Sequence, residues 1–171
     1  MKLPRIGRAA AVIALFAGSM AGIPSLASAS SKDARGAAAR DVVNIRSILN
    51  NKCLEIKDSK IDKGAYVGMW DCWGGVTTHW YWDGDQIRRM LTHGCLEIRD
   101  SDARNGAYVS MWDCWGGPAT RWYRDGELIR SKLNNKCLEV RDSDVDNGAD
   151  VSMWDCWGGA STRWYMTPVA D

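Results

Sequence analysis

The chain has 171 residues, with 22 Lys and Arg against 21 Asp and Glu and a formal net charge of +1. So even a balance excludes electrostatic capture of nucleic acid, or of an anionic membrane surface, as its working principle. Its six cysteines form an even set, which in an exported chain reads as disulfides.

Lys2, Arg5 and Arg8 give the chain a basic start, and residues 9–23 follow as an uncharged apolar run. Pro24 stops any helix, and Ala27-Ser28-Ala29 has the small-x-small form that signal peptidase cuts after. The run is shorter than the ~18–20 residues of a membrane-spanning helix, and no later segment is apolar enough to span. Residues 1–29 therefore read as a secretory signal peptide, and the protein is expected to be secreted, without membrane insertion. Cleavage removes Lys2, Arg5 and Arg8, leaving 19 basic against 21 acidic residues, a net charge of −2. Phe16, the only phenylalanine, leaves too, so the mature aromatics are ten Trp and five Tyr. Rings that all carry a polar edge suit a surface as well as a core. Residues 30–40, containing Ala, Gly and Ser, read as a flexible N-terminal segment.

From residue 41 onward the chain repeats itself. The string Met-Trp-Asp-Cys-Trp-Gly-Gly stands at residues 69–75, 111–117 and 153–159, a period of 42. Cys53, Cys95 and Cys137 keep that interval, as do Cys72, Cys114 and Cys156. The three units run over about 41–82, 83–124 and 125–171. In the first unit, strands are predicted at 45–49, 53–56, 66–70 and 79–82 from period-2 alternation. Turn signals separate them: Asn50-Asn51, Lys63-Gly64, Gly74-Gly75 and Asp83-Gly84. No helical period is sustained, so the reading is all-β with about four strands per unit. The 42-residue period and its Trp-Asp pair suggest a β-propeller, but three blades do not close a ring.

The order of these motifs resembles the ricin-type (R-type) β-trefoil lectins, a family that includes xylan- and galactose-binding modules of bacterial glycosidases. The family carries Cys-Leu-Asp, Gln-x-(Trp/Tyr)-x-Cys and Gln-x-Trp once per unit. Here they stand as Cys53-Leu54-Glu55, Gly68-Met69-Trp70-Asp71-Cys72 and Thr78-His79-Trp80, with equivalents in the other units. The resemblance covers essentially the whole mature chain. It implies a single β-trefoil of three repeats with pseudo-threefold symmetry, binding glycan or polysaccharide without a cofactor, and a monomer is expected.

One disulfide per repeat is expected, Cys53–Cys72, Cys95–Cys114 and Cys137–Cys156, since this pairing is the same in every unit and joins neighbouring strands. Alternation turns Leu54, Ile56, Val67 and Met69 inward and Glu55 and Trp70 outward. The expected binding residues are thus Glu55 with Trp70, Glu97 with Trp112, and Glu139 with Trp154, each pair in a shallow depression beside the disulfide. A pyranose stacks its C–H face on an indole and donates two hydroxyl hydrogen bonds to a carboxylate. The alternative for the same residues is structural: the tryptophan covers the disulfide and Glu55 pairs with Lys57 or a nearby Arg in a weak solvated ion pair. Trp73, Trp115 and Trp157 either extend the platform or cap the barrel end. Thr78, Thr120 and Thr162, at the family's Gln position, are additional binding candidates. Trp80, Trp122 and Trp164 are expected in the core.

Departures from the family pattern limit what carries over. Glu replaces the usual Asp, Gly68, Ser110 and Ser152 replace a Gln, and Thr77, Ala119 and Ser161 replace an Asn. The family's galactose preference therefore does not transfer. With its pockets so altered, the alternative function is a protein-interaction module or hydrolase inhibitor. Asp142 to Gly148 starts like a calcium loop, but Gly is seventh rather than sixth and Met153 stands at the twelfth place. The cysteines lack zinc spacing, so no metal is expected. Neither His79 nor His93 repeats, and Glu55 and Asp58 are expected on opposite faces of their strand, too ill-placed for glycoside hydrolysis. No catalytic residue is predicted.

Overall fold

The computed structural model describes residues 41–169. The expected signal peptide and N-terminal segment lie outside the described residues. Twelve strands follow, four per repeat. The first repeat holds β1 (Val43–Ser47), β2 (Cys53–Ile56), β3 (Val67–Trp70) and β4 (Trp80–Asp83). The second holds β5 (Gln86–Arg89), β6 (Cys95–Ile98), β7 (Val109–Trp112) and β8 (Trp122–Asp125). The third holds β9 (Leu128–Ser131), β10 (Cys137–Val140), β11 (Val151–Trp154) and β12 (Trp164–Pro168). Helical structure among the described residues is confined to 3₁₀ turns of three residues. The structure is all-β with four strands per unit, as the repeat led us to expect, and the fold is the trefoil that the family resemblance implied.

The first strand starts and ends two residues earlier than its apolar pattern suggested. Ile48 already belongs to the Asn50-Asn51 turn, which closes when the Asn51 N–H donates to the Ser47 carbonyl at 2.9 Å.

Strand β1 closes the molecule by pairing antiparallel with β12 from Val43↔Pro168 to Ser47↔Trp164. It also meets β4 at Val43↔Trp80. The same junction recurs in the other repeats as Trp122 N–H to Asp85 O and Trp164 N–H to Glu127 O, both at 2.7 Å. Three hairpins, β2–β3, β6–β7 and β10–β11, cover one end and join one another through bridges at Tyr66↔Ser110, Gly68↔Asp150 and Tyr108↔Ser152.

The core follows the alternation of the strands. Leu54, Ile56, Val67 and Met69 are buried, as are their counterparts in the other repeats. Trp80, Trp122 and Trp164 are the largest fully buried side chains, as expected. Each satisfies its indole N–H on a backbone carbonyl, those of Leu54, Leu96 and Leu138, at 2.8–2.9 Å. A buried indole without such a partner would carry the cost of an unsatisfied donor.

Candidate functional site

Each site is built on one hairpin. In β2–β3, Cys53 faces Trp70 and Glu55 faces Gly68. Glu55 and Trp70 therefore project from the same side of the hairpin, away from Leu54 and Met69. Identical register places Glu97 with Trp112 and Glu139 with Trp154. The disulfides Cys53–Cys72, Cys95–Cys114 and Cys137–Cys156 tie the first strand of each hairpin to the segment after the second. Trp70, Trp112 and Trp154 remain half-exposed beside them.

The second tryptophan of each string, whose role the sequence left open, belongs to the site. Trp73 Nε1–H donates to Glu55 Oε1 at 3.2 Å. Trp115 makes the same bond to Glu97 Oε2 at 2.9 Å, and Trp157 to Glu139 Oε1 at 3.4 Å. The Gly-Gly pair makes this possible. The first glycine turns the chain with φ of 76–79° in all three units. Over the second lies the ring itself: a Cβ on Gly75, Gly117 or Gly159 would sit 1.7–1.9 Å from the indole.

The carboxylates are less open than alternation alone suggested, with Glu55, Glu97 and Glu139 only 7–8% exposed beneath these indoles. Thr77 adds a second donor to Glu55 Oε1 at 3.0 Å, and Ser161 one to Glu139 Oε1 at 3.2 Å. Ala119 supplies none. Each carboxylate thus holds one oxygen in the protein and keeps the other, Oε2 of Glu55, Oε1 of Glu97 and Oε2 of Glu139, without a donor among the described residues. Burial pushes Glu97 and Glu139 above the ordinary glutamate value of 4.5. The Trp115 and Trp157 N–H groups work against that shift, while Asp100 and Asp142 add to it.

A cleft opens over each carboxylate. The first, about 430 Å³, is walled by Trp70 and Trp73 with Glu55 and Asp58. The second, about 340 Å³, has Glu97, Asp100, Trp112 and Trp115. The third, about 310 Å³, has Glu139, Asp142, Trp154 and Trp157. Asp58 is a correction to the sequence reading. It does not continue the strand to the opposite face; it sits in a 3₁₀ turn at φ 56°, and this bend returns it to the cleft of Glu55. Its side chain is well solvated and paired with Lys60 at 3.1 Å.

Thr78, Thr120 and Thr162 are a second correction. They are fully buried, and their hydroxyls donate to the carbonyls of Gly75, Gly117 and Gly159 at 2.8–2.9 Å. They brace the turn under the second tryptophan and do not face the cleft. Glu55 also does not pair with Lys57, whose ammonium reaches Asp150 and the Gly148 carbonyl in the third repeat.

The aspartate of the repeated string escaped sequence reasoning. Asp71 accepts from Asn147 Nδ2 at 2.8 Å and from Lys52 Nζ at 2.6 Å. Asp113 takes Lys63 Nζ, and Asp155 takes Asn105 Nδ2 at 2.8 Å together with Lys136. Each string is therefore clamped to the turn of another repeat, and Asp71 and Asp155 titrate below the usual range because Lys52 and Lys136 bond them. The available signal was the coincidence of this aspartate with a polar residue ahead of Gly64, Gly106 and Gly148. Among the described residues no cluster of three or more His, Cys, Asp or Glu side chains could hold a metal ion.

Comparison with known proteins agrees with this architecture. The family profile of the ricin-type beta-trefoil lectin domain matches residues 41–164. No curated protein matches the chain by sequence similarity. Among solved structures, the designed threefold-symmetric protein ThreeFoil superposes with a TM-score of 0.70 at 20% identity, over 74% of this chain and 98% of its own. The C-half of the earthworm R-type lectin, solved in complex with GalNAc, gives 0.66 at 22% identity, over 75% and 98%. An exo-beta-1,3-galactanase from Clostridium thermocellum gives 0.71 at 19% identity, over 78% of this chain and 31% of the enzyme. At these identities the solved structures speak for the fold, whereas the profile match spans most of the chain and all three motif sets: this protein belongs to the ricin-type β-trefoil lectin family.

Proposed function

We propose that the protein is a secreted lectin that binds glycan or polysaccharide non-covalently through the three hairpin clefts. The observation that carries this reading is the same in every repeat: a mostly buried carboxylate with one oxygen free of donors among the described residues, between two half-exposed indoles. A pyranose places its apolar face on an indole and two hydroxyl donors on the free oxygen, and charge-assisted bonds of this kind outlast neutral ones in competition with water. Family membership and neighbours such as the GalNAc-bound earthworm lectin support carbohydrate as the ligand class. Secretion rests on the signal-peptide pattern of residues 1–29.

The reading includes no catalysis. Each cleft holds two carboxylates, but Asp58, Asp100 and Asp142 are solvated and lie beside cations, Lys60, Arg99 and Arg141. The buried partner in each pair accepts an indole N–H from Trp73, Trp115 or Trp157, a bond that favours the charged acceptor over the protonated form that a general acid needs.

A single shallow cleft is expected to bind a sugar at about millimolar strength. Three on one polymer gain roughly 10²–10⁴-fold in avidity. A glycan array with the mature protein, and with Trp70, Trp112 and Trp154 all replaced by Ala, tests the proposal. Wild type should bind one polysaccharide class and the folded triple variant should not. A triple variant that is folded and binds as wild type would refute it.

A further inference from the structure

The aromatic clefts are not isolated on the surface. A second kind of cleft lies in the turn that follows the Glu strand of the first and second repeats. In the first repeat it is formed by Lys57, Asp58, Lys60, Asp62, Lys63 and Tyr66, and it encloses about 240 Å³. In the second repeat the equivalent positions form a cleft of about 680 Å³, in which Arg99, Asp100, Asp102, Arg104, Asn105 and Tyr108 meet Tyr66 of the first repeat.

The first turn cleft shares lining residues with an aromatic cleft at each end; the second shares them at one end and abuts Trp154, a wall of the third cleft, at the other. Lys57 and Asp58 line both the Glu55 cleft and the first turn cleft. Gly64, at the far end of that turn, lines the Glu97 cleft, and its Cα faces the Trp112 ring. Arg99 and Asp100 line both the Glu97 cleft and the second turn cleft, whose Gly106 faces Trp154 of the third cleft in the same way. The order along the surface is therefore aromatic, turn, aromatic, turn, aromatic. The junctions are held in place. Gly64 N–H donates to the Met111 carbonyl and Gly106 N–H to that of Met153, at 2.7 and 2.8 Å.

The charges of the turn clefts balance or nearly so, which suits a neutral, hydroxyl-rich ligand: the first carries Lys57, Lys60 and Lys63 against Asp58 and Asp62. The second carries two guanidinium groups and two carboxylates, so it offers donors and acceptors with no net charge. Arg104 is held by Asp102 at 2.7–2.8 Å, with Asp102 held down to about 2 by that bond, and Arg104 stays solvent-exposed. Tyr66 and Tyr108 meet edge to face at 5.8 Å and leave half-exposed ring surface.

We infer that the turn clefts are sugar subsites joining the aromatic clefts into one groove, so that the ligand is a linear neutral polysaccharide bound along its length and not by its terminal residue. This deepens the proposed lectin function and rests on it. The test titrates xylo-, cello- and β-1,3-galacto-oligosaccharides of one to six residues into the protein by calorimetry. It compares wild type with Lys60→Ala/Arg104→Ala, both solvent-exposed positions, and with Tyr66→Ala as an independent variant. In at least one series, affinity should rise about tenfold between the disaccharide and the pentasaccharide, and the variants should lose about three- to tenfold on the pentasaccharide alone, the scale of one or two lost hydrogen bonds. Disaccharide binding with no gain on lengthening, or a gain that both variants retain, overturns the groove and leaves the lectin reading standing. Absence of binding by every series overturns both.

Discussion

Replacing Trp115 by Phe removes one hydrogen bond and keeps a ring over the cleft. Trp115 Nε1–H donates to Glu97 Oε2 at 2.9 Å, and Glu97 is almost wholly buried. Hydrogen bonds to charged groups contribute ~1.5–3 kcal/mol. More than half of the indole is exposed, so the lower end, ~1.5 kcal/mol, is the appropriate figure. At 1.36 kcal/mol per pH unit, the Glu97 carboxyl should titrate about one unit higher in the variant. Burial already holds it above 4.5, and for such a raised group the stability contribution is complete below the unfolded value and is lost as pH rises through the folded one. The variant widens that loss. It should cost ~1.5 kcal/mol more at pH 7 than at about pH 3, below the unfolded value, where Glu97 is protonated in folded and unfolded chains alike. Packing lost with the smaller ring is common to both conditions and cancels. Carboxyl-detected NMR gives the titration, and urea unfolding at the two pH values gives the stability difference. An unmoved Glu97 titration, or a stability loss equal at both pH values, would show that the indole does not hold the carboxylate.

Gly117→Ala should expel the Trp115 ring, because the new Cβ would sit 1.7 Å from it. The expected signs are a cost of about 1–3 kcal/mol from overpacking, a red-shifted tryptophan emission, and weakened binding at the second cleft. Unchanged emission and stability would contradict the ring placement. Replacing Cys137 and Cys156 together by Ser should lower stability by ~3 kcal/mol, the chain-entropy value for a loop of this size. A drop well under ~1 kcal/mol by denaturant titration would mean that packing alone fixes the hairpin.

The repeat and the strand alternation made most of the fold legible. Periodic Leu54, Ile56, Val67 and Met69 fell in the core where they were placed, and the Cys53–Cys72 pairing followed from identical units. The glutamate and the first tryptophan of each site were legible for the same reason, since a hairpin in register puts them on one face. What failed was what depends on local backbone geometry outside strands. The expected direction of Asp58 follows from extending the strand alternation past residue 56, whereas Asp58 and Ser59 both turn left-handed, a bend that alternation does not encode. Thr78 was read from its column in the family motif, whereas its short side chain reaches only the Gly75 carbonyl. Trp73 stayed undecided because its position depends on the bare Gly75 beneath the ring, a contact that no spacing rule encodes. The clamp from Asp71 to Asn147 joins residues of different repeats and lay outside any reading of one unit at a time.

The central claim is that sugar binds in the clefts between the paired indoles and the carboxylate. The most direct test is an indole N–H NMR titration of the mature protein with the glycan selected by the array, with resonances assigned by single Trp→Phe variants. The three indoles bonded to Glu55, Glu97 and Glu139 should shift together and saturate, while those of Trp80, Trp122 and Trp164, bonded to backbone carbonyls inside the core, should not move. Saturable binding that leaves the Trp73, Trp115 and Trp157 resonances in place would contradict the account and put the sugar elsewhere.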